Sequence, residues 1–111
     1  MRIAQLTSAL LLALLSHTLM ADQALNGVWI DVRTPEEFAQ GHIDDAQLIP
    51  HERIESGVEN LGIAKDTPIY VYCAKGGRAE KAKTRLTRLG YVNVTNVGGL
   101  DDARELTGQL D

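Results

Sequence analysis

The chain has one cysteine, one tryptophan, one phenylalanine and three prolines among its 111 residues. The scarcity of thiols is the most informative of these. With Cys73 alone, no disulfide can form within the chain. The fold must rest on packing, without the covalent staples that small exported domains often use. Histidine is also scarce, and His42 and His51 have no supporting cluster at metal-ligand spacing, so no metal site is expected. Positive charge is in deficit: 11 Lys and Arg stand against 15 Asp and Glu, a formal net charge of -4. A chain with that balance lacks the broad basic stripe that nucleic acid binding needs. The 44% hydrophobic and 23% charged content argues against a disordered or fibrous chain. Repeats, low-complexity tracts and internal linkers are absent, and the length allows one domain at most.

No apolar run reaches the roughly 20 residues required to span a bilayer. The longest, Ala9 to Leu15, follows the positive charge of Arg2 and has the length of a signal-peptide core. Leu19-Met20-Ala21 offers a cleavage site, with Leu19 bulkier than the small residue usual there. The expected division is a signal peptide over 1–21 and a mature domain over 22–111, with no stable membrane anchor after cleavage. The absence of a cysteine just after the run excludes a lipoprotein anchor. The alternative is an uncleaved membrane or amphipathic tail. A lone thiol in an oxidising compartment is a liability unless it has work to do, although a buried cysteine also packs as a small inert hydrophobe.

Short apolar runs alternate with helical segments, the pattern of an α/β domain with a largely parallel sheet. Val28 to Val32, Gln47 to Ile49 and Ile69 to Tyr72 read as strands, and Val92, Val94 and Val97 mark a last one. Ile69 to Tyr72 is continuously apolar, as expected of a central strand covered on both faces. Thr34-Pro35-Glu36-Glu37 reads as a capping box with proline at the first helical position, opening a helix that ends near Gly41. His51 to Leu61 reads as a helix with Ile54, Val58 and Leu61 on its inner face. A further helix from about Arg78 to Leu89 turns Ala79, Ala82, Leu86 and Leu89 inward and most of its lysines and arginines outward. Gly90 stops it in a left-handed cap. Gly98-Gly99 is expected to turn into a short final helix around Asp101 to Leu106.

The chemistry concentrates at Cys73-Ala74-Lys75-Gly76-Gly77-Arg78. This segment joins the carboxyl end of the central strand to a helix, and at that edge of open α/β sheets ligands bind. Two glycines let successive amides turn inward, and the helix start adds free N–H groups and a positive dipole end. Lys75 and Arg78 add two full charges. These features favour a thiolate and would also bind an anionic substrate. An activated thiolate in an anion cradle suits a persulfide-forming sulfurtransferase or a cysteine-dependent phosphatase. Phosphatases of that type place five residues between cysteine and arginine, whereas four stand here, a tighter loop suited to a cysteine bearing one extra sulfur.

Three motifs carry a family resemblance. They are Trp29-Ile30-Asp31-Val32-Arg33 with Pro35-Glu36-Glu37-Phe38 and Gly41-His42-Ile43; Val71 to Arg78; and Asn96-Val97-Gly98-Gly99-Leu100. With them the chain resembles a single-domain rhodanese (thiosulfate sulfurtransferase), in particular the short periplasmic phage-shock-protein-E type. The resemblance implies a small rhodanese-like domain, a parallel β-sheet flanked by helices, in the periplasm. It implies Cys73 as nucleophile and persulfide carrier, and the segment Ala74, Lys75, Gly76, Gly77 and Arg78 as the holder of sulfur and donor. It further implies that thiosulfate, a small anionic donor, gives up its outer sulfur and that an external thiol or cyanide removes it, with no metal or organic cofactor. Two departures stand out. Asp45 occupies a position where the family often has glycine, and Leu100-Asp101-Asp102-Ala103 replaces a segment that in longer relatives often carries tryptophan.

Asp31 and Arg33 read as a structural ion pair, His42 as a loop brace, His51 as a helix-start residue, and Tyr70 and Tyr72 as core or rim. Arg78 is open between contact with the anion and stabilisation of the loop. Two alternatives to the enzyme remain: a persulfide carrier or redox-sensing module with a protein partner, and a cysteine-dependent phosphatase or arsenate reductase. With no second cysteine, every version needs an external sulfur acceptor.

Overall fold

The computed structural model describes residues 26–109. The expected signal peptide over 1–21 and its cleavage after Ala21 lie outside the described residues. Four strands and four α-helices alternate: β1 (Val28–Asp31), α1 (Pro35–Gln40), β2 (Gln47–Leu48), α2 (Ile54–Asn60), β3 (Ile69–Cys73), α3 (Gly77–Arg88), β4 (Val94–Gly99) and α4 (Leu100–Thr107). All neighbouring strands pair in parallel, in the order β2-β1-β3-β4. This is the expected α/β architecture. No helix among the described residues is long and apolar enough to cross a membrane.

The two-residue period of a strand sorts β3 between two cores. Ile69, Val71 and Cys73 face the larger one, which also holds Ile30, Ile54, Val58, Ala79, Ala82 and Leu86. Tyr72 faces the smaller one with Ile43 and Ala103, flanked by Trp29 and Leu100. Helices α2 and α3 therefore cover one face of the sheet and α4 the other. Small residues at Ala79 and Ala82, both fully buried, let α3 lie close to the strands. Gly57 sits inside α2, where glycine is intrinsically unfavourable, because a Cβ there would collide with the Ile49 side chain.

Several local expectations need correction. The stretch from His51 to Leu61 is not one helix: His51–Arg53 forms a 3-10 turn, and the α-helix begins at Ile54. Leu61 is 46% exposed and does not join Ile54 and Val58 in the core. Val92 is 78% exposed and precedes β4. Gly98 and Gly99 belong to β4 itself. The expected capping box is present. Glu37 N donates to Thr34 Oγ1 at 3.2 Å and Thr34 N to Glu37 Oε1 at 3.1 Å, with Pro35 opening α1. Gly90 takes φ +98° just past α3. Asp45 takes φ +66°, a left-handed conformation that aspartate tolerates and glycine adopts freely, so the departure at this position falls on an exposed turn.

The end of β1 is braced by a buried ion pair. Asp31 is fully buried and Arg33 is 6% exposed. Arg33 Nε donates to Asp31 Oδ1 at 2.9 Å and Nη2 to Oδ2 at 2.7 Å, while Nη2 also reaches the Gly41 carbonyl at 2.7 Å. The guanidinium lies 5.8 Å from the centre of the Tyr72 ring. The Tyr72 hydroxyl accepts the Ile43 amide at 3.0 Å, and burial raises its pKa. Strand end, loop and second core are thus tied together.

Removing Asp31 would leave a buried guanidinium without its partner. Asp31→Ala should therefore cost about 3–5 kcal/mol in urea denaturation. A loss below about 1 kcal/mol would show that the brace does not hold the strand end.

Candidate functional site

β3, flanked by β1 and β4, carries Cys73 to the carboxyl edge of the sheet. The chain then makes a short loop and enters α3. The N-cap of α3 is Gly76, which has no side chain to satisfy the free amides of the first turn. The sulfur of Cys73 takes that role, accepting the Gly76 amide at 3.0 Å. Cys73 is almost wholly buried, at 1% exposure. Burial alone would push its pKa up, because the charged form loses water. The amides of Ala79, Gly76, Lys75 and Arg78 outweigh that penalty and hold the thiol below its ordinary value. The leading stabilisation therefore comes from backbone N–H groups, not from the charges of Lys75 and Arg78 on which the sequence reading also drew.

The loop residues divide by role. Gly76 takes φ +108°, which a side chain would strain, and a Cβ there would come within 3.4 Å of Gly98 Cα. Gly77 has nothing within 4 Å of a Cβ and is not sterically required. Ala74 and Lys75 are exposed. The guanidinium of Arg78 lies on Glu37, Nη1 to Oε1 at 2.7 Å and Nη2 to Oε2 at 3.0 Å. This fork, followed by the Thr34 contacts, lowers the Glu37 pKa to about 2.

β4 supports the loop from the side. Its pairing with β3 shifts register between Val71 and Tyr72, so that Asn96 lies opposite Val71 but Gly98 opposite Tyr72 and Gly99 opposite Cys73. A Cβ on Gly99 would run into the Ala74 carbonyl. Asn96 ties the two segments together: Nδ2 donates to the Gly76 carbonyl at 3.1 Å and Oδ1 accepts the Gly98 amide at 2.9 Å. Asp102 accepts the Gly99 amide at 2.8 Å and so caps α4.

Three participants escaped the sequence reading. The Ala79 amide would have followed from starting α3 at Gly77, which makes Ala79 the third helical residue. Asn96 was visible two residues before Gly98, but without a role. Glu37 was assigned to its own helix, and nothing local signalled a partner 41 residues away. His42 stacks on Phe38 with ring centres 3.6 Å apart and pairs through Nδ1 with the Phe38 carbonyl at 2.8 Å. His51 lies 3.0 Å from Glu52 in the 3-10 turn. Lys81, Arg85 and Arg88 line an open groove along α3 that contains none of the thiol's partners. Among the described residues, no group of three or more His, Cys, Asp or Glu is placed to hold a metal ion.

Comparison with known proteins bears on this arrangement. Residues 14–105 match the rhodanese-like domain. The chain is 38% identical over 74 residues to the thiosulfate sulfurtransferase PspE of Escherichia coli (strain K12), covering 67% of this chain and 71% of that protein. It is also 34% identical over 96 residues to a tRNA uridine(34) hydroxylase of Pectobacterium carotovorum, covering 81% of this chain but only 27% of that protein. The same kind of domain thus forms part of a larger protein with a different name. Among solved structures, a rhodanese with anions from E. coli superposes with a TM-score of 0.65 at 37% identity, covering 68% of this chain and 88% of that one.

The cradle sets an expectation for thiol reactivity. The rate of Cys73 alkylation by iodoacetamide should rise with pH through an inflection below the free thiol value of about 8.5. An inflection at or above that value would show that burial wins over the amides.

Proposed function

This chain belongs to the rhodanese-like domain family, and on that premise we propose that it is a sulfurtransferase that moves the outer sulfur of thiosulfate to a thiophilic acceptor through a persulfide on Cys73. The observation that carries the proposal is the sulfur of Cys73 accepting the Gly76 amide at the start of α3, where backbone N–H groups lower the thiol pKa. Stabilising the anion raises the share of Cys73 present as thiolate, the form that acts as nucleophile.

In the first half-reaction the Cys73 thiolate attacks the outer sulfur of thiosulfate. A bond forms between the two sulfurs, the bond to the central sulfur breaks, and sulfite leaves with the electron pair. The product is a persulfide anion on Cys73. Its negative charge now sits on the outer sulfur, one atom beyond Cys73 Sγ. Lys75, exposed on the loop, supplies positive charge for the sulfonate end of the donor, and Ala74, Gly76, Gly77 and Arg78 supply backbone around it. In the second half-reaction a nucleophile, cyanide or a thiol, takes the outer sulfur and returns the thiolate. With cyanide the product is thiocyanate, and neither half consumes an oxidant or a reductant. With one cysteine in the chain, the acceptor must come from outside. The apolar run Ala9 to Leu15 behind Arg2 supports export of the domain to the periplasm by the segment 1–21.

Intact mass of the folded, reduced protein should rise by one sulfur atom after thiosulfate and fall back after cyanide, while Cys73→Ser shows neither change. No added sulfur would sink the thiosulfate reading; stable loading with negligible turnover would point instead to a carrier that serves a partner protein. Lys75→Ala should raise the KM for thiosulfate on the order of tenfold, the worth of one charge-assisted contact. It should change loading from a neutral sulfur donor far less, and equal losses with both donors would exclude the electrostatic role.

A further inference from the structure

Glu37 stands at the meeting point of two helix starts. It is the third residue of α1, and its Oε1 accepts from Thr34 N at 3.1 Å and Thr34 Oγ1 at 3.1 Å. The same carboxylate offers both oxygens to the Arg78 guanidinium, at 2.7 and 3.0 Å. Both side chains are about one-third exposed, Arg78 at 30% and Glu37 at 31%. A carboxylate pinned from one side by a capping box presents a fixed receptor, and a two-toothed arginine contact fixes orientation as well as distance.

Arg78 is the second residue of α3, inside the turn whose amides surround the Cys73 sulfur. Holding its side chain holds the frame of that turn. The same contact occupies two guanidinium nitrogens with an acid that balances their charge. We propose that Glu37 is a positioning residue for the sulfur cradle: it seats Arg78 so that the arginine turns its backbone N–H toward Cys73 while its guanidinium stays on the carboxylate and off the sulfur donor. The part concerning the donor rests on the sulfur-transfer reading above; the part concerning the cradle does not. Of the two cations in the loop, Lys75 is then the one left to meet the donor.

The test is a double-mutant cycle with Glu37→Gln, Arg78→Lys and the double variant, each checked for folding by circular dichroism. Glutamine at the third helical position still closes a capping box, so Glu37→Gln removes the fork while keeping the α1 start. Arg78→Lys keeps the charge and loses the second tooth, and it leaves α1 untouched, so it carries the test even if Glu37→Gln proves unstable. In alkylation against pH, each single variant should raise the Cys73 inflection, by on the order of half a unit, and the double variant should go no further than either. With thiosulfate, the loading rate should fall alike in all three while KM stays within about threefold of the parent.

Opposite results overturn the proposal. A guanidinium released by Glu37→Gln that acts directly would lower the inflection by its charge, or lower the thiosulfate KM severalfold. An inflection unchanged in Arg78→Lys would show that charge, and not the fork, is what matters. Alkylation needs no sulfur donor. A protein that takes no sulfur from thiosulfate would therefore still decide the cradle half, separating failure of this inference from failure of the functional reading.

Discussion

The structure turns on one exchange: α3 begins without a capping side chain, and the sulfur of Cys73 supplies the missing acceptor. A helix start concentrates unpaired N–H groups and the positive end of its dipole. Most helices spend that potential on a serine, threonine or aspartate. Here Gly76 contributes only backbone, and the potential is left for an atom that arrives from the end of β3. The thiol is buried, which opposes ionisation, yet the balance favours the anion because several amides converge on one sulfur. Ion and helix stabilise each other, so the geometry of the first turn and the reactivity of the cysteine are one property.

The surrounding structure serves that geometry. The register shift in β4 brings Gly99 level with Cys73, where the absence of a side chain leaves room for the Ala74 carbonyl. Asn96 ties the Gly76 carbonyl to the Gly98 amide and so joins loop to strand. Asp31 and Arg33 secure the neighbouring strand end, and the Tyr72 hydroxyl fixes the loop at Ile43. Sheet, side support and first helical turn are each held by different contacts, and all of them meet around the same short loop.

Much of this was legible in the residues. The continuous apolar run of β3, small residues on the inner face of α3 and the Thr34 box are local patterns, and local patterns survive into the fold. The cysteine between a strand and a glycine pair announced an anion cradle for the same reason. What the sequence concealed was non-local or marginal. Leu61 continues the helical period of Ile54 and Val58, but it caps α2 and stays exposed. Val92 has the composition of a strand, yet β4 begins only at Val94. The reach of Glu37 to Arg78 depends on how two helix starts meet across the sheet edge, which no spacing encodes. The share of the Ala79 amide depended on a one-residue difference in where α3 begins.

Because the groups that steady the sulfur are main-chain N–H groups, the side chains of Ala74 and Lys75 take no part in that contact. Ala74 and Lys75 are exposed, so mutation can reshape the outer rim there and leave the inner contacts standing. Gly76 and Gly99 have no such freedom, one held by its backbone conformation and the other by a neighbouring carbonyl. The loop therefore sets an exposed rim at Ala74 and Lys75 directly beside a fixed backbone position at Gly76. Such a separation makes for evolvability: a lineage can change which molecules it accepts at the rim without first losing the reactive centre.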